Sequence, residues 1–167
     1  MITSKERVLQ RERQRGRAAA QEIQTKAPDM TGTELYEVDD RIPRFAAACA
    51  KMNMLGRKAG QTDGFVCKST AGRVVRLIQN YDSTVYLHDD GTPWEPEELP
   101  AQWRFVWSTD PAKALPFVEL ATSPYMTGDC CTRDGHVWRS GQDTNTWAPG
   151  TTGVKWEDLG TVEEVMG

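Results

Sequence analysis

A chain of 167 residues with 38% apolar content and a negative mean hydropathy has room for one mid-sized domain or two small ones, each with a modest core. No apolar run approaches the ~20 residues that cross a bilayer, and the opening MITSKERVLQRERQ lacks the apolar stretch of a secretory signal; folding in a cytoplasm without membrane contact is expected. Charge is uneven. Residues 1–27 carry seven Lys or Arg against three Glu, net +4, so the remainder carries −8, and a basic arm on an acidic body implies a partner for the arm.

Residues 3–26 predict a helix, capped by Thr3 or Ser4, with Glu6 in its first turn, strong helix formers up to Gln24 and Pro28 beyond its end. Its apolar content is thin: Val8, Leu9, Ala18, Ala19, Ala20 and Ile23, with Gly16 between. Burial alone cannot hold such a helix, so it docks on a partner, assembles with copies of itself or stays partly disordered. Arg7, Arg11, Arg13, Arg15 and Arg17 are its candidate attachment residues. They would suit phosphates, but the interleaved aromatics of single-strand binders are missing and the body is acidic, so an acidic protein surface is expected rather than nucleic acid.

Residues 28–60 read as a connector with an acidic stretch, Glu37, Asp39 and Asp40, expected to be a solvated turn and not a metal site. Residues 46–54 read as a short helix or an irregular packed segment. From 61 to 107 the pattern predicts strands at 65–69, 74–79 and 104–107, with a turn at Thr70-Ala71-Gly72. Residues 108–120, with two prolines, read as a linker. From 121 to 167 strands are expected at 129–132, at 136–140 and after Trp156, with Asp134-Gly135 as a hairpin signal.

The two β segments repeat a series of landmarks in order: Gly64/Gly128, Cys67/Cys131, Gly72/Gly135, Val74/Val137, Arg76/Arg139, Gln79/Gln142, Trp94/Trp147, Pro96/Pro149 and Trp103/Trp156. In both, a W-x-P is followed by Trp seven residues after the Pro. Two tandem copies of one module are expected, and the fold class is mainly β: an N-terminal α-helix followed by two small antiparallel β modules. The first copy departs from the second in Phe65 for Asp129, in Val75 opposite Trp138 and in an insertion at 81–92.

The cysteines, Cys49, Cys67, Cys130 and Cys131, show neither a disulfide framework nor zinc-ligand spacing. On a strand Cys130 and Cys131 point to opposite faces, which suggests one core thiol and one at the surface. His88 and His136 have no nucleophile in a recognisable spacing, and Glu95, Glu97, Glu98 and Asp143 read as solvated carboxylates. No catalytic set, cofactor or metal site is expected, and the chain reads as a binding or building protein.

The second copy is similar to small β modules of the chitin-binding carbohydrate-binding type, through Tyr125, Gly128, Asp129, Gly135, Trp138, Asn145, Trp147, Pro149 and Trp156. Its spelling resembles the versions in structural proteins of tailed bacteriophages. The resemblance implies a non-enzymatic virion component of tail, fibre or head decoration, anchored by its N-terminal helix to other virion proteins and to itself, a trimer being the fibre-like arrangement. It also implies binding of host-surface polysaccharide, with Trp138 and Tyr125 stacking on sugar rings and Asn145 and Gln142 bonding hydroxyls; the other reading of the module is a structural spacer that binds no sugar. Trp138 is the expected anchor because the first copy lacks it; Trp147 and Trp156, shared with Trp94 and Trp103, are expected in the core. The alternative is a bacterial carbohydrate-binding protein outside any virus particle.

Overall fold

The computed structural model describes residues 2–51, 65–79 and 81–167. The Gly64 landmark, the start of the first β segment at 61–64 and residues 52–54 of the expected short helix lie outside them.

Helix α1 (Ser4–Lys26) begins with a reciprocal cap: the Glu6 N–H donates to Thr3 Oγ1 (3.3 Å) while the Thr3 N–H donates to Glu6 Oε2 (2.6 Å). A 3-10 turn (Ala27–Asp29) with Pro28 inside it ends the helix. Of α1 and this turn only Ile23 and Ala27 are buried. There the helix meets β1 (Val66–Lys68): Gln24 Nε2 donates to the Val66 carbonyl (2.7 Å), and the Val66 N–H donates to Gln24 Oε1 (2.9 Å). Arg76 fastens the same end by donating to the carbonyls of Ala27 (2.5 Å) and Met30 (2.6 Å), which satisfies carbonyls left free at a helix C-terminus.

β1, β2 (Val74–Leu77) and β3 (Trp103–Phe105) form an antiparallel sheet in that order; β4 (Leu115–Pro116), β5 (Cys130–Arg133), β6 (His136–Ser140) and β7 (Trp156–Thr161) form a second. β5, β6 and β7 also run antiparallel in sequence order, while β4 adds a parallel edge. The registers correspond: Cys67 faces Val75 as Cys131 faces Trp138, and Leu77 faces Trp103 as Ser140 faces Trp156. Gly72 and Gly135 both take positive φ, at +85° and +78°, in the turns where the landmark series places them.

The expectation of a mainly β fold is corrected to a mixed α/β architecture, with an N-terminal helix and two sheets. The described residues hold more helix than strand. Helices α2 (Gly32–Glu37) and α3 (Phe45–Lys51) occupy the connector, and α4 (Val162–Met166) follows β7. α2 and α4 start on reciprocal caps, Thr31 with Glu34 and Thr161 with Glu164. The expected linker is also part of the fold: it contains β4, its Ala114 and Leu120 are buried, and its Ser108 carbonyl accepts from the Cys130 N–H (2.9 Å).

Three apolar clusters follow from strand alternation. On one face of the first sheet, Val66 and Val74 pack with Ile23, Ala27, Leu35, Tyr36 and Ile42. Tyr36 donates to the Val106 carbonyl and accepts from the Val74 N–H, and burial pushes its phenol up to about 12. The other face contributes Cys67, Val75, Leu77, Trp103 and Phe105 to the largest cluster, which also holds Tyr125 and Cys131 and takes in Trp138 and Trp156. One aromatic-rich core is therefore shared by residues of both sheets. Behind the second sheet, Cys130 and Val137 pack with Ala114, Leu159, Val162 and Val165. Cys130 and Cys131 do point to opposite faces, but each face is covered, so both thiols are buried where one was expected at the surface.

In the acidic connector Glu37 and Asp40 are exposed, as expected of a solvated turn, and Asp39 differs. Asp39 lies within 3.9 Å of Lys68 Nζ and 3.7 Å of Lys113 Nζ, so it is an ion-paired tie between elements rather than a solvated turn. Arg73, buried just before β2, donates to Glu97 (3.1 Å) and to the Pro116 carbonyl (2.8 Å), linking the entry to β2 with β4.

Candidate functional site

The first candidate is the free part of α1. Every residue from 2 to 18 is exposed, including the apolar Ile2, Val8 and Leu9 at 56%, 57% and 56%. Arg7, Arg11, Arg13 and Arg17 have no carboxylate partner among the described residues, and Arg15 pairs only with Glu12 at 3.4 Å on the same helix. The surroundings change along α1. Its first four turns are free, whereas Ile23, Gln24 and Ala27 belong to the body.

The expected sugar constellation is not assembled. Tyr125 is 1% exposed, its ring 4.3 Å from Trp107 and 5.4 Å from Phe117, both stacked, and its hydroxyl accepts from the Val118 N–H (3.3 Å). Burial pushes its phenol far above the ordinary range. Asn145 is fully buried; its Nδ2 donates to Ser140 Oγ (3.1 Å), and its backbone bridges that of Tyr125. Gln142 Oε1 accepts from the Lys155 N–H (3.0 Å). Asp143 Oδ1 accepts from the Thr127 N–H (3.0 Å), and Asp129 Oδ2 from the Met126 N–H (2.8 Å). Asp143 and the Asn145 backbone hold loops 125–129 and 140–145 to each other, Asp129 closes the first loop on itself, and Gln142 ties the second to residue 155. A small module has few apolar side chains, so loop order is carried by such bonds, and the polar residues that could meet a sugar are used internally. Trp138 is half-buried against the shared core, and its Nε1 donates to the Arg133 carbonyl (3.2 Å).

The exposed aromatic rings are elsewhere. Trp94 is 38% and Trp147 53% exposed, which corrects their assignment to the core; Trp103 is fully buried and Trp156 half-buried, as expected of core rings. In each W-x-P the proline is the buried member and the tryptophan turns outward. The two loops are tied in different ways. The Trp147 carbonyl accepts from Trp156 Nε1 (2.9 Å), while the Trp94 N–H donates to the Tyr86 carbonyl (2.9 Å) and its ring lies 5.7 Å from His88. The signal available in the sequence was the proline two residues on, which takes the tryptophan out of strand alternation.

Both histidines pair with carboxylates, His88 with Glu98 at 3.0 Å and His136 with Asp158 at 2.9 Å. Among the described residues, no three His, Cys, Asp or Glu gather as metal ligands, and no helix is long and apolar enough to cross a membrane. No family model matches the chain, and no curated protein and no solved structure matches it.

Proposed function

We propose that this chain is a non-enzymatic component of a bacteriophage particle, tail, fibre or head decoration, held there through the free turns of α1, with its β loops facing outward. The observation that carries the reading is that α1, capped by Thr3 and rich in arginine, is exposed at every residue up to 18. Ordering four turns of such a helix without packing gains little, so it is built to be covered by another surface. Placement in a phage particle rests on the resemblance of residues 125–156 to modules of phage structural proteins.

The β segments are read as tandem copies of one module, supported by the matching registers and matching positive-φ glycines. Their outward activity is read as binding of surface polysaccharide through Trp147 and Trp94, the two exposed rings at the same place in both copies. An exposed indole face suits a pyranose ring, and this reading replaces Trp138 as the anchor. A bacterial carbohydrate-binding protein would use the same rings but would have no need of the free helix.

The test is incorporation. A chain lacking residues 2–18 should fold and be missing from purified particles, as read by mass spectrometry. Incorporation at the wild-type level would overturn the attachment role.

A further inference from the structure

We infer that the chain assembles head to tail with copies of itself, the free part of α1 of one copy docking on the acidic hairpin around Trp94 of the next. This rests on the reading of α1 as an attachment element and names one surface it covers; a Trp94 covered in this way leaves Trp147 as the ring open to sugar.

The two surfaces are complementary in both charge and apolarity. Between Leu77 and Trp103 the sequence holds six acidic residues, Asp82, Asp89, Asp90, Glu95, Glu97 and Glu98, with no Lys or Arg. Only Glu97 is paired with a Lys or Arg among the described residues. Residues 86–94 form a hairpin: Leu87 bridges Pro93, the His88 N–H donates to the Thr92 carbonyl (2.8 Å) and the Trp94 N–H to the Tyr86 carbonyl (2.9 Å), and Glu97 and Glu98 follow in a 3-10 turn (Pro96–Glu98). Thr84 and Thr92 hold the Asp82 and Asp90 carboxyls below the usual range, so both stay charged at neutral pH. Among these acids stand Val85, 67% exposed, with Leu87 and Trp94. The hairpin up to Thr92 lies in the 81–92 insertion that the second copy of the landmark series lacks, and Trp94 is the shared landmark that follows it.

On α1, Val8 and Leu9 lie one turn from Arg11 and Arg13, at the i+3 and i+4 spacings that make helix neighbours, and Lys5 with Val8 and Leu9 borders a shallow open groove. An apolar spot rimmed by arginines thus faces the kind of surface the hairpin presents: an apolar spot rimmed by carboxylates. Within one chain the two do not meet, since residues 2–18 are all exposed. Helix-to-helix pairing of two copies would set arginine against arginine, and like charges brought together at an interface are costly. A contact between two different surfaces of the same chain is heterologous, and repetition gives a ring or a filament.

Sedimentation velocity of the full chain at low salt is the test. The wild type should associate as concentration rises. R11E/R13E and V85K/D89K, all at exposed positions, should each raise the dissociation constant roughly tenfold or more, and the variant carrying all four changes should regain association. Adding the chain lacking residues 2–18, which keeps the hairpin but lacks the exposed turns of α1, should cap the assemblies and lower their mean mass. A wild type that stays monomeric, a V85K/D89K variant that associates like the wild type, a four-change variant that does not recover, or a truncated chain with no effect would each overturn the inference. A monomeric chain that still enters particles through α1 removes this inference alone. Association by a chain whose truncation still enters particles removes the attachment reading alone.

Discussion

The Gln24 carboxamide forms two reciprocal hydrogen bonds with the backbone of Val66, at 2.7 and 2.9 Å, so a helix side chain stands where a neighbouring strand would be. β1 is the edge of its sheet, and an open edge is a template for unwanted pairing. The Pro43 carbonyl, which accepts from the Lys68 N–H (2.9 Å), closes the next position. Replacing Gln24 by Ala should lower stability by about 1–3 kcal/mol, the usual penalty for unpaired buried polar groups. Gln24→Glu should be worse, because a carboxylate oxygen would face the Val66 carbonyl. Denaturant unfolding at neutral pH measures both.

Truncation should reveal a boundary inside α1. Removing residues 2–18 leaves every buried contact in place, and the melting temperature should hardly change. Removing residues 2–27 strips Ile23, Gln24 and Ala27 from Val66 and Val74, and takes away the Ala27 carbonyl bonded by Arg76. Losing Ile23 alone should lower stability by about 2–5 kcal/mol, so the longer truncation should melt far lower in a thermal scan.

The tryptophans should separate by burial. Trp103→Ala should cost about 3–5 kcal/mol, as core aromatic truncations do. Trp147→Ala should stay within about 0.5 kcal/mol of the wild type, as surface changes do. Trp138→Ala removes a half-buried ring from the shared core and should fall between them. Polysaccharide pull-down with W94A, W147A and the double variant then reads sugar binding without interference from unfolding.

Asp129 should make its own contribution to pH dependence. Burial, opposed by the Met126 N–H and reinforced by Asp143, raises its carboxyl above 3.8. A raised acid binds its proton more readily when folded, so stability falls as pH rises through the window above 3.8. Asp129→Asn keeps an acceptor for the Met126 N–H and removes that loss. The variant should exceed wild-type stability at pH 7, with the gain shrinking to nothing as pH drops below 3.8.

Thiol reactivity should report folding. Burial pushes Cys49 up to about 11 and Cys131 up to about 12, and raises Cys130. Thiolate is the reactive form, so at pH 7.5 these three should react slowly with a thiol reagent in the native chain. Guanidinium should release all four cysteines at once.

The sequence by itself determined what local chemistry determines. Thr3 and Glu6 mark the start of α1 and Pro28 its end, Asp134-Gly135 marks a hairpin, and the landmark series places β1, β2, β3, β5, β6 and β7 within a residue or two. It also carried signals that went unread: Thr31 with Glu34 and Thr161 with Glu164 announce α2 and α4. Only the tertiary structure decided which side of a residue is covered. Tyr125 and Asn145 have the right chemistry for a sugar site, yet the packing of residues from both sheets around one aromatic core placed them inside. Trp94 and Trp147 read as core by repetition, yet the buried prolines beside them turned both rings outward. Gln24 looked like one more helix former, and its partner Val66 is 42 residues away. Periodicity and capping act within a few residues and leave a trace in the sequence. Burial depends on which distant surfaces meet, and that is settled only when the sheets and helices pack.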